Sequence, residues 1–153
     1  MVRTFVEQWL REWNAHDLEA LLSHYSEDVV FTSPIAAQLL DGSDGIVHGK
    51  DELRDYWAEG LRRIPDLHFE LVGYYVGVNT VVINYRNQRG GLVAEVLMFE
   101  GAEIMKGHGT YLDADDNPAG ASPRGEGACA DLSRHISGFG RSAAQAGRGY
   151  GFG

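Results

Sequence analysis

The sequence predicts an α+β fold in which three helices pack on one face of a curved, mostly antiparallel sheet. Three observations carry that expectation. Apolar residues recur at helical spacing up to Pro65, and beyond it they alternate with a period of two. The later runs are separated by short turns rich in Gly and Asn, so helices come first and a meander follows.

In the first helix Val2, Phe5, Val6, Trp9, Leu10 and Trp13 share one face, with Arg3, Glu7, Arg11 and Glu12 opposite. Asn14-Ala15-His16-Asp17 interrupts it, and Asp17 is a suitable N-cap for a short second helix carrying Leu18, Leu21, Leu22 and Tyr25. Val29 to Thr32 reads as a strand that stops at Ser33-Pro34. Ile35 to His48 reads as a loop, because Asp41-Gly42-Ser43-Asp44-Gly45 is turn-rich. A third helix follows Gly49, buries Leu53, Trp57, Leu61 and Ile64, and ends at Pro65. Four strands are then expected: His68 to Val76, Thr80 to Asn87, Leu92 to Phe99 and Glu103 to Leu112.

The domain is expected to occupy residues 1–112, and residues 113–153 form a separate segment. That segment holds 9 of the 20 glycines and two of the four prolines, with neither period. It reads as a disordered or loosely draped tail. The net charge of −9 and the lack of a basic run argue against nucleic acid and anionic membranes as partners. One cysteine, Cys129, allows no intrachain disulfide. No apolar run approaches a membrane span, and the N-terminus has no signal-like apolar block, so a cytoplasmic protein is expected.

Three stretches carry a family resemblance. They are Trp13-Asn14-Ala15-His16-Asp17-Leu18, Tyr25-Ser26-Glu27-Asp28-Val29-Val30-Phe31, and Gly49-Lys50-Asp51-Glu52-Leu53-Arg54. Together with the element order, residues 2–112 resemble the cone-shaped fold of nuclear transport factor 2, ketosteroid isomerase and the SnoaL-like polyketide cyclases. The resemblance implies a pocket inside the cone. Anchored on the isomerase, the strand positions facing inward are Ile83, Tyr85 and Asn87; Val93, Glu95, Leu97 and Phe99; and Met105, Gly107, Gly109 and Tyr111. Trp9, Phe31, Ser33 and Trp57 are expected to complete the ligand-binding wall. The two inward glycines are expected to enlarge the cavity.

The same alignment puts the isomerase's base position on Ser33, its oxyanion tyrosine on Trp9 and its oxyanion acid on Leu97. Unaided serine is no base, an indole N–H can only donate, and leucine does neither. Ketosteroid isomerisation is therefore not expected, and the acid expected of SnoaL-like cyclases is also replaced at Leu97. Glu95 remains as the candidate catalytic residue: a carboxyl in so apolar a strand should be desolvated and titrate near neutrality. Arg86 should face away from the cone, which disfavours an epoxide-hydrolase relay. The histidines show no metal-ligand spacing, His108 should face outward, and His16, His24, His48 and His68 read as exposed. No metal and no cofactor are expected.

The expected function is that of a SnoaL-like domain whose apolar pocket binds a small hydrophobic molecule without clear catalytic residues. The alternative is a cofactor-independent lyase, isomerase, cyclase or dehydratase with Glu95 as general acid or base. The outer sheet face, with Val96 and Met98 near its centre, is expected to form a homodimer, as the resemblance implies.

Overall fold

The computed structural model describes residues 1–113 and 115–116. The chain runs α1 (Val2–Asn14), α2 (Leu18–Leu22), β1 (Tyr25–Thr32), α3 (Ala36–Leu39), β2 (Ile46–His48), α4 (Gly49–Arg63), β3 (Glu70–Gly77), β4 (Thr80–Arg86), β5 (Leu92–Glu100) and β6 (Glu103–Tyr111). It is a mixed α+β domain on one curved six-stranded sheet that does not close, ordered β2-β1-β6-β5-β4-β3. Every neighbouring pair is antiparallel except β1 and β6. The tail expected from residue 113 onward lies almost wholly outside the described residues.

Local chemistry accounts for the helix boundaries. The Asp17 carboxylate accepts the Ala20 backbone N–H at 3.2 Å, capping α2. At the start of α4 the Glu52 carboxylate accepts the His48 N–H at 2.9 Å. Asp51 and Glu52 lie in that helix's first turn and Arg62 and Arg63 in its last, matching the helix dipole at both ends.

The structure corrects the sequence reading in three places. Ile35 to His48 is not a plain loop: it contains α3 and the edge strand β2, whose Val47 is fully buried opposite Phe31. Strand β1 begins at Tyr25 rather than Val29, because Tyr25 already pairs with Ile104 ahead of a register shift. In β6 the inward residue is Ile104, not Met105. Phe99 pairs with Ile104 while Met98 pairs with Lys106, so Met105 is the extra residue of a bulge that flips the facing.

Helices α1 and α4 fill the concave side. The rings of Trp13 and Trp57 meet edge-to-face with centroids 5.0 Å apart, joining the two helices. Trp57 also meets Tyr25 and Phe31 of β1 at 5.1 and 5.6 Å, and Phe5 meets Phe99 of β5 at 5.4 Å. Leu21, Leu53, Ile83 and Leu97 are fully buried beneath them, each stabilising the fold by roughly 1.5–3 kcal/mol over an exposed position. On the convex side Tyr75, Val82, Val96, His108, Thr32 and Ile46 form one row across all six strands. Met98 is 39% exposed on the same face, one row away. His108 accordingly faces outward, and its Nδ1 lies 2.7 Å from the Thr32 hydroxyl.

Candidate functional site

The concave side holds a partly open cavity of about 110 Å3 between α4 and the sheet. Helix α4 supplies Tyr56, Trp57, Gly60 and Leu61, the face that a helical stripe starting at Leu53 presents inward. Opposite stand Tyr85 of β4, Val93 and Glu95 of β5, and Tyr111 of β6, every second residue of their strands. Trp13 of α1 and Phe31 of β1 close the sides. Ile64, Leu67 and Phe69, on the connector from α4 to β3, form the rim.

That connector has no regular structure of its own. It is held by the end of α1: the Asn14 amide donates to the Phe69 carbonyl at 3.0 Å and accepts the Phe69 N–H at 2.7 Å. His16 Nε2 lies 2.9 Å from the Leu67 carbonyl. His16 is therefore half-buried and bonded rather than a free surface residue, and so is His24, whose Nε2 lies 2.7 Å from the Glu12 carboxylate. The Asn14-Ala15-His16 stretch thus positions a wall of the cavity, with His16 in a left-handed conformation at φ 56°.

Glu95 is the single carboxylate on the wall, only 4% exposed. Burial pushes its carboxyl up to about 7, partly opposed by the Tyr85 hydroxyl, which donates to Oε2 at 3.2 Å. Tyr85 and Tyr111 are held neutral far above the usual phenol range, first by burial and next by neighbouring groups that include Glu95. Burial likewise raises Tyr56.

Ser33 lies behind this wall. Its Oγ accepts the Tyr56 hydroxyl and the Ile35 N–H, each at 3.2 Å. A hydroxyl has two lone pairs and one proton, so these two bonds take up the acceptor positions of Ser33. Ser33 is thereby tied into the fold as an acceptor and is no free base.

Of the residues singled out from sequence, Phe31, Trp57, Tyr85, Asn87, Glu95 and Tyr111 come together around the cavity. Trp9, Ser33, Ile83, Leu97 and Phe99 do not. Trp9 is wholly buried in the core and donates its indole N–H to the Tyr25 hydroxyl at 3.1 Å. Asn87 reaches the wall with its Oδ1 already accepting the N–H groups of Arg89 and Gly91 in the β4–β5 turn. The inward glycines add no volume. Phe31 already fills the place of a Gly107 side chain, and a Gly109 Cβ would touch Ser33. Tyr56 was legible from the α4 stripe; Leu67 and Phe69 had no periodic signal. No group of three His, Cys, Asp or Glu could hold a metal ion among the described residues.

The model of the SnoaL-like domain matches residues 6–106. The chain belongs to the SnoaL-like domain family. It is 40% identical to a SnoaL-like protein of unknown function from Burkholderia thailandensis. That match covers 72% of this chain and 93% of the other, with a TM-score of 0.67. An NTF2-like protein of unknown function from Cytophaga hutchinsonii is 16% identical over 75% of this chain and 93% of its own, with a TM-score of 0.56. A putative polyketide cyclase from Sinorhizobium meliloti is 11% identical over 69% and 92%, with a TM-score of 0.57. The last two share the fold alone. None of the curated proteins matches the chain. No described helix of this SnoaL-like domain is long and apolar enough to cross a membrane.

Proposed function

We propose that this SnoaL-like domain binds one small, compact, mostly apolar molecule in the cavity beneath α4, and that binding is its activity. The observation that supports this best is a cavity walled by seven aromatic rings with one carboxylic acid among them. Around it Trp9, Ser33 and Leu97 supply neither a base nor an oxyanion pair. The volume of about 110 Å3 sets the scale, since an apolar cavity of roughly 150 Å3 holds a benzene.

Gly60 offers the test. It lies on the wall in the last turn of α4, and a Cβ there meets nothing within 4 Å. Gly60→Leu should fill the cavity while raising helix stability by roughly 0.8 kcal/mol. Small apolar compounds should raise the melting temperature of the wild type by mass action and leave the variant unmoved. An equal shift in both proteins would place the ligand elsewhere.

Glu95 favours a second reading, a cofactor-independent lyase, isomerase, cyclase or dehydratase. A carboxyl that titrates near 7 inside a cavity can give or take a proton at neutral pH. Turnover that falls in Glu95→Gln with affinity retained would select this reading. We further propose that the convex face around Val96 and Met98 pairs two copies of the chain.

A further inference from the structure

The cavity is lopsided in charge. Glu95 is its one carboxylate, and no Lys, Arg or His shares the wall. The ion pairs among the described residues all lie elsewhere, and the hydrogen-bond donor to Glu95 is a neutral phenol. A buried carboxylate without a cation is costly, and a cationic partner removes that cost. The rest of the wall points the same way. Seven aromatic residues make up much of it, and Trp13 and Trp57 pair edge-to-face while Phe69 stacks on Tyr85 at 4.1 Å, so aromatic rings border a small space on several sides. The protein as a whole carries −9, adding a field of the same sign. An anion would lose its hydration and meet no cation, only neutral donors such as the Trp13 indole N–H. A neutral molecule would gain apolar burial and hydrogen bonds to Glu95 or the Trp13 N–H. A cation gains the carboxylate and the rings together.

We propose that the cavity is an aromatic cage for a small protonated amine, with the Glu95 carboxylate as its counter-ion and Trp57, Phe69 and Tyr85 packing its hydrocarbon part. This rests on reading the cavity as the ligand site. The groups facing Glu95 are Tyr85 from β4, Tyr111 from β6, Tyr56 from α4 and Tyr25 from β1, which in turn feels Glu12 of α1. All four phenols are raised by burial and stay neutral, so Glu95 is the member of this cluster that changes charge between weakly acidic and weakly basic pH.

Butylamine, 1-butanol and butyrate share one chain and differ in charge, and titration of each can be followed at the Trp57 indole N–H by NMR. At about pH 8 butylammonium should bind at least about tenfold tighter than butanol, the order expected of a desolvated cation over aromatic faces beside a carboxylate. Butyrate should give no saturable shift. Glu95→Gln should bring the amine's affinity down to the alcohol's. In the wild type the same preference should shrink by about pH 5.5, as Glu95 takes up a proton, a comparison that does not depend on the variant folding. Butanol binding as tightly as butylammonium, saturable butyrate binding, or a preference unchanged by pH would overturn the amine while leaving the cavity a ligand site. Saturable binding by none of the three would overturn both readings.

Discussion

Replacing Glu95 with Gln should convert a pH-dependent fold into a flatter one, and the size of the change follows from the burial of one side chain. The carboxyl titrates at 4.5 when solvated and at about 7 in the folded cavity. Between those values the native state holds a proton that the unfolded chain has released. Unfolding free energy therefore falls as pH rises across that window, by about 3 kcal/mol in all. The stability that Glu95 contributes is complete below pH 4.5 and is lost as the pH climbs through about 7. Glutamine keeps the shape and an oxygen for the Tyr85 hydroxyl but carries no titration. Urea unfolding of both proteins at a series of pH values gives the difference directly, with the exposed carboxylates cancelling. The wild type should lose ground to the variant with rising pH. A difference flat to within about 0.5 kcal/mol, near the accuracy of denaturant extrapolation, would mean that Glu95 is solvated. A difference of opposite slope would mean that a cation pairs with it.

Gly107→Ala sets a Cβ 2.6 Å from Phe31 Cδ2, against a ring already held by Trp57. It should cost about 1–3 kcal/mol, and Phe31→Leu in the same chain should restore most of it; an unchanged melting temperature in the single variant would refute the packing. Asn14→Ala strips Phe69 of two hydrogen bonds and should cost about 1–3 kcal/mol. Its specific readout is faster hydrogen exchange at the Phe69 amide, and retained protection there would show that the connector is held by other contacts. Charges at both Val96 and Met98 should yield monomers by sedimentation, since a two-fold interface would leave them buried and unpaired. A wild type that already sediments as a monomer at micromolar concentration would remove the proposed interface.

The long elements were legible because their side chains repeat. Helices α1 and α4 show their stripes in the sequence, and Ile83, Tyr85, Val93, Glu95 and Leu97 alternate as β4 and β5 require. Elements of three or four residues have no period to read, so the sequence of α3 and β2 reads as loop. Alternation also assumes unbroken register, and the bulge at Met105 breaks it. For the site, period two told which strand residues face inward but not how far along the cone the space lies. Ile83 and Leu97 face inward too, yet pack solid core. Whether a missing side chain leaves a hole depends on what neighbour turns into it, and Phe31 turns into Gly107. The rim at Leu67 and Phe69 is placed by hydrogen bonds to residues more than 50 positions earlier, which no local pattern encodes.

The parallel pairing of β1 with β6 has a kinetic consequence. Strand β6 lies between β1 and β5, so the sheet is two separate halves until the last strand arrives. Everything made earlier waits: α1, α2, β1 and β2 can meet, and β3 to β5 can form a meander, but the β6 side of Tyr25 and Phe31 stays unpaired until Ile104 and Gly107 dock beside them. A loop of more than 70 residues must then be closed by a central strand, and the entropy of that closure precedes the contacts that offset it. Folding during synthesis is accordingly deferred to the end of the domain, and a chain released before Glu103 would expose two unpaired strand edges to any other copy nearby.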